Sequence, residues 1–273
     1  MIETNPASDT VSLQKPAVPQ ARAVPSGDGM KWTREAISIF TASPLMWIIF
    51  MIIFMVVNLA VAMIPFVGQL LLSLVSPMIM AGVMVGCQAV QNGEQLDTDH
   101  FTAGFKGKTE PLLMLGAFYL GVTILLVVVA ILLVVALVGT AVLLNPETAA
   151  ENVGVGMALS IALVMLIMLG LMVPLLMAYW FAVPLIQFHD MNAIEALKHS
   201  FKACMKNIMP FLVYGIAMLA LYIAASLPLI LSIFTLGPLI ILGALVSFGI
   251  LILVVSPITF ASIYTSYRGV FEE

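Results

Sequence analysis

Four stretches of this chain contain no Asp, Glu, Lys or Arg: residues 36–93, 111–146, 152–189 and 207–267. Short polar segments separate them, and that alternation sets the elements. A bilayer core of about 30 Å is crossed by about 20 apolar residues in helical form. The first and last stretches are each long enough for two crossings. Each also breaks near its middle at Pro and Gly, in "MIPFVGQ" and "TLGPLI". The two middle stretches hold one crossing each. The pattern predicts six helices, near 44–64, 66–90, 112–144, 154–188, 209–234 and 238–266. Backbone polar groups in lipid have to be satisfied within the segment, which makes helix the default. The ten-residue alternation of a transmembrane barrel is not seen.

The polar segments share a layout. Three strings in the second helix of each pair match in spacing: "SPMIMAGVM" at 76–84, "VPLLMAYWF" at 173–181 and "SPITFASIY" at 256–264. Each has Pro followed by Ala four residues on: Pro77/Ala81, Pro174/Ala178 and Pro257/Ala261. Each first helix opens near Pro44, Pro111 or Pro210, where the missing N–H is one that the first turn leaves unpaired anyway. Ahead of each lies a short amphipathic segment ending in Phe: "KWTREAISIF" to Phe40, "DTDHFTAGF" to Phe105 and "NAIEALKHSF" to Phe201. The expected fold is therefore all-α. It is a polytopic membrane bundle of six transmembrane helices, in three parallel repeats of an interfacial helix plus a transmembrane hairpin, over 31–93, 98–190 and 192–268. Pro77, Pro174 and Pro257 are the expected kink positions. Two spans per unit return the chain to its starting side, so the copies relate by an axis along the membrane normal. Pro and Ala are common in membrane helices, and chance similarity is the competing reading.

Charge orients the bundle. The chain is 62% hydrophobic and 9% charged, against about 25% charged in soluble domains. Lys15, Arg22, Lys31 and Arg34 precede the first span. Lys106 and Lys108 lie between the second and third, Lys198, Lys202 and Lys206 between the fourth and fifth, and Arg268 follows the sixth. All of these regions fall on one side of a six-span chain. By the positive-inside rule, both termini are expected in the cytoplasm. Residues 1–29 hold four prolines and few bulky apolar residues, and read as a disordered cytoplasmic tail, either inert or recruiting a partner. They lack the apolar core of a signal peptide. Residues 30–268 form the transmembrane domain, and 269–273 a short C-terminal tail. Cys87 and Cys204 both fall near the cytoplasmic end, where a disulfide framework is not expected.

Candidate chemistry is sparse. No Asp, Glu, Lys, Arg or His lies inside a predicted span, whereas ion-coupled transporters place such groups near the midplane. No metalloprotease His pair, nucleophile-and-base pair or phosphate-cradling glycine loop stands out. Asp97, Asp99, His100, His189 and Asp190 gather at helix ends. They read either as a metal-binding set or as helix caps. Asn58, Gln69, Ser76, Gln88, Ser160, Gln187 and Ser256 are expected to hold helices together. Ser76 and Ser256 precede matching prolines and can re-satisfy freed carbonyls. No catalytic, cofactor-binding or metal-binding residue is assigned, and no cofactor is called for.

The stretch "EALKHSFKACMKN" from Glu195 to Asn207 is the most distinctive. Asn192 and Glu195 fit a capping box. Ile194, Leu197, Phe201 and Cys204/Met205 recur on one helical face, and Lys198, Lys202 and Lys206 on another. Such a helix lies in the membrane interface, with Leu197 and Phe201 expected inward. The lysines either only enforce topology or contact anionic lipid, each gaining about 1 kcal/mol near an anionic leaflet.

"EAISIFTASPLMWI", "YWFAVPLIQFHDMNAIEALKHSFKACMKNIMPFLVYG" and "PITFASIYTSYR" together resemble a family of uncharacterised six-helix proteobacterial inner-membrane proteins. That family is distantly similar to the membrane domain attached to some glycerophosphodiester phosphodiesterases. The resemblance covers about 30–268, and its most specific part is the Ala196/Ser200/Phe201/Asn207/Pro210 pattern. It implies a multi-pass protein of a Gram-negative inner membrane and brings no catalytic residues. The expected function is a non-enzymatic scaffold or accessory protein contacting membrane lipids or another membrane protein, with no nucleic-acid partner. The alternative is a conduit for a neutral or lipidic solute. The sequence does not address the oligomeric state.

Overall fold

The computed structural model describes residues 19–65, 67–144, 149–234 and 239–272. Among them the chain is helical with no strand, and six helices are long and apolar enough to cross a membrane. The helices are α1 (Asp28–Ala42), α2 (Pro44–Ala62), α3 (Val67–Gln91), α4 (Thr98–Thr102), α5 (Thr109–Leu144), α6 (Ala149–Trp180), α7 (Ala182–His189), α8 (Ala193–Lys206), α9 (Ile208–Ile233), α10 (Leu239–Ile250) and α11 (Ser256–Phe271). A 3-10 turn, Ala103–Phe105, extends α4, and a π turn, Leu251–Val255, joins α10 to α11. The crossings are α2, α3, α5, α6 with α7, α9, and α10 through α11. This is the all-α polytopic bundle that the apolar pattern predicts.

The short helices gather at one end with the described basic residues, hereafter the basic end. There α4 and its 3-10 turn pack on α3, α8 packs on α6 and α7, and α1 packs on α9 and α11. Each short helix thus rests on the second crossing of the preceding pair, and α1 closes the ring by resting on the last. Where α4 meets α3 the backbones touch. A Cβ on Gly82 would run into the Phe101 carbonyl, and one on Gly104 into that of Met78. Glycine permits that approach because it has no Cβ.

The packed core lies at the same end, where α3, α7 and α11 meet. Met84, Leu185, Ile186 and Tyr267 are fully buried there. Farther out the helices are covered by little protein. No residue in the most apolar window of the α5 crossing is buried, the pattern of a helix that is apolar all round. α5 has 36 residues and α6 has 32, about 54 and 48 Å at 1.5 Å per residue. Both exceed a core of about 30 Å and have to tilt or project beyond it.

Several local expectations change. Residues 1–18 of the expected disordered tail lie outside the described residues. Residues 19–29 do not belong to such a tail: α1 begins at Asp28, and the strand of chain before it is docked. Arg22 donates from its N–H to the Val270 carbonyl at 3.1 Å and from its guanidinium to the Gly269 carbonyl at 2.9 and 3.0 Å. The second interfacial segment runs from its Asp97 cap to Phe105 as a five-residue helix plus the 3-10 turn.

The prolines behave differently from one another. Pro77 lies inside α3 and Pro174 inside α6, while Pro257 is the second residue of α11, in its first turn just past the π turn. Pro77 has no N–H for the Ser73 carbonyl, and Ser76 Oγ donates to that carbonyl at 3.0 Å, as expected. Ser256 Oγ donates to the Leu251 carbonyl within the π turn at 3.0 Å. The fourth crossing is interrupted at Phe181, past Pro174, where α6 gives way to α7.

Candidate functional site

α8 has three faces, not two. Ala193, Ala196, Ser200, Ala203 and Cys204 are buried against the bundle. Ile194, Phe201 and Met205 form a second sector, 46, 37 and 50% exposed. Lys198, Lys202 and Lys206 lie exposed on the third. At about 100° per residue the apolar sector falls between the buried one and the lysines. Leu197 is half-buried, whereas Phe201 points out, against expectation. The inward face has to be small because α8 comes close enough to α6 for a hydroxyl to reach its backbone.

That hydroxyl is Ser200, which is fully buried. The Phe181 N–H donates to Ser200 Oγ at 2.9 Å, and Ser200 Oγ donates to the Met177 carbonyl at 2.7 Å. Met177 and Phe181 are four apart, the spacing of a helical hydrogen bond. Ser200 therefore stands inside the ladder of the fourth crossing, an insertion of the kind that breaks a helix. Pro184, three residues on, removes the N–H that would pair with the Trp180 carbonyl.

At the other end of α8, Asn207 is buried and fully used. Its Nδ2 donates to the carbonyls of Ala203 and Arg22, both at 2.9 Å, and its Oδ1 accepts the Val24 N–H at 2.9 Å. Lys206 Nζ donates to the Ala21 carbonyl at 2.8 Å. One lysine of the stripe is thus tied to the docked segment. Lys198 and Lys202 make no hydrogen bond or ion pair among the described residues. Asn192 caps the start of α8 by accepting the Glu195 N–H at 2.9 Å.

The other candidates separate. Asp97 caps α4, and His100 Nδ1 accepts the Asp97 N–H at 3.0 Å. The Thr98 donors hold the Asp97 carboxyl below its ordinary range. Asp99 pairs with Lys106 at 3.5 Å, and Asp190 with Lys108. Asp190 also ends α7 in a left-handed conformation, φ 54°. His189 Nε2 meets the Tyr267 hydroxyl at 2.6 Å, which donates to Glu272 Oε1 at 2.8 Å. The five residues serve as caps and local pairs. Among the described residues, no three His, Cys, Asp or Glu side chains converge to hold a metal.

Asn58 and Ser76 bond within their own helices, so they do not tie helices together. Besides those of Ser200, the cross-helix bonds come from residues not singled out in the sequence. Trp180 Nε1 donates to Ser266 Oγ at 3.0 Å, Tyr179 donates to the Leu115 carbonyl at 3.1 Å, and Tyr214 meets Ser262 Oγ at 2.6 Å. Tyr and Trp on apolar runs at helix ends were the available signal. Cys87 and Cys204 are both buried. Burial pushes the Cys204 thiol up to about 12, against the lowering effect of Ser200.

Six apolar crossings with a packed basic end define a polytopic helical membrane protein. Its sequence is 29% identical over 251 residues to a protein of Burkholderia thailandensis described as a probable inner membrane protein, covering 89% of this chain and 90% of that one. No protein-family model and no solved structure matches the chain.

Proposed function

We propose that this is a multi-pass inner-membrane protein with both termini cytoplasmic. It acts as a non-enzymatic scaffold or accessory that holds anionic phospholipid against α8. The observation that carries the reading is the pair of exposed lysines, Lys198 and Lys202, beside the exposed apolar sector of the same helix. A helix so divided suits the headgroup boundary, with apolar side chains toward the acyl region and ammonium groups at phosphate level. The described relative's inner-membrane designation supports the location. The filled meeting point of α3, α7 and α11 favours a scaffold over a conduit along that axis.

Native mass spectrometry of the purified protein tests the reading. Two lysines at about 1 kcal/mol each amount to roughly thirtyfold in affinity. K198Q/K202Q should therefore lose phosphatidylglycerol or cardiolipin at least tenfold, while K206Q changes little, since Lys206 is held by Ala21. Equal lipid retention in all variants would reduce the stripe to a topology signal.

A further inference from the structure

We infer that the cleft where α6, α8 and α9 converge seats one acyl chain of an anionic phospholipid whose headgroup lies on Lys198 and Lys202. The inference rests on the lysine reading above and adds a place for the tail. The cleft has a volume of about 430 Å³, within the range of ligand sites. Leu176, Met177 and Trp180 of α6 form one wall, Met205 of α8 the floor, and Ile208 and Phe211 of α9 the other wall. The Trp180 indole N–H is already given to Ser266, and the Cys204 thiol stays protonated at neutral pH. The walls thus offer a hydrocarbon chain a close apolar surface and offer a sugar, ion or peptide almost no partner.

Charge selects the lipid. Lys202 stands three residues before Met205, and Lys198 three before Phe201, so on a helix each lysine neighbours the apolar sector. A second apolar cleft, about 350 Å³ between α2, α3 and α4, supplies the contrast. Its walls include Phe50, Phe54, Phe101 and Phe105, but the lysine of its short segment, Lys106, pairs with Asp99. An apolar seat beside unpaired lysines occurs at the α6–α8–α9 cleft and not at this one.

The test uses the whole purified protein, delipidated in detergent. It is titrated with phosphatidylglycerol brominated on its acyl chains and with phosphatidylcholine bearing the same chains. Of three tryptophans, Trp32 and Trp47 are 1 and 0% exposed, and Trp180 lines the cleft. W180F identifies its share of the emission. The brominated anionic lipid should quench Trp180 at about thirtyfold lower mole fraction than the neutral lipid, the ratio expected for two lysines. K198Q/K202Q should bring the two curves together. Leu176→Phe, alone or with Val173→Phe, should fill the cleft and weaken quenching while the lysines still retain phosphatidylglycerol in native mass spectrometry. Should K198Q/K202Q keep the anionic preference, the lysine reading falls and the inference with it. Full quenching in both filled variants, with the preference still lysine-dependent, would overturn the tail seat alone. Equal quenching by the two lipids in the unmodified protein would show unselective annular contact and overturn the proposal.

Discussion

Ser200 in the inward face of α8 and Asn207 at its C-terminal cap are two buried polar side chains, and each bonds to backbone groups of another segment. Ser200 stands between the Phe181 N–H and the Met177 carbonyl. Ser200→Ala leaves both buried groups without that partner, at about 1–3 kcal/mol for an unsatisfied group. For a chain of this size each kcal/mol lowers the thermal midpoint by roughly 2–4 °C, so a fall of several degrees is expected in detergent. An unchanged midpoint would mean that Phe181 closes back onto Met177 and the fourth crossing runs straight. Asn207 instead holds residues 22–24 by two hydrogen bonds. Asn207→Ala should free that segment without opening the bundle. Trypsin cleavage after Arg22 should then be at least tenfold faster, at about 1 kcal/mol per hydrogen bond lost, with α9 still protected. Unaltered cleavage would mean that Arg22 and its contacts with Gly269 and Val270 hold the segment alone.

At the scale of the element, α8 shows what a single sequence reveals and where it stops. The period of its apolar residues and its lysines was legible, as was the Asn192 cap. Which apolar side faces protein was not. In water the large residues turn inward, but lipid receives Ile194, Phe201 and Met205 as well as protein does. Helix contact in a membrane instead favours small side chains that let backbones approach. Ala193, Ala196, Ser200 and Ala203 therefore mark the inner face, and Phe201 lies outside it. The interruption at Phe181 was equally hidden, because its cause lies partly on another element, nineteen residues on in sequence. The inner face gives a prediction. Ala196→Leu should overpack the α8–α6 contact at about 1–3 kcal/mol and lower the midpoint. Lys202→Gln, six residues on and on an exposed face, should leave it unchanged. Similar effects of the two would remove the three-sector description of α8.

The whole molecule is packed at one end and loosely covered beyond it. Its six crossings were readable from charge-free runs alone, since lipid imposes a length and forbids unpaired backbone. The docked segment was not readable: its prolines and small residues suggest disorder, and its partners, Asn207, Gly269 and Val270, lie at the far end of the chain. The lipid reading of α8 depends on where the basic end points, because a zwitterionic or outward-facing surface would give Lys198 and Lys202 far less to bind. The natural cysteines cannot report this, being buried, so introduced ones have to. Met63 follows α2 at the opposite end and is 84% exposed, while the Lys106 side chain at the basic end is 64% exposed. In intact spheroplasts carrying M63C or K106C, a membrane-impermeant maleimide should label Cys at 63 and leave Cys at 106 untouched until the membrane is opened. Labelling at 106 and not at 63 would turn the basic end outward and contradict the account.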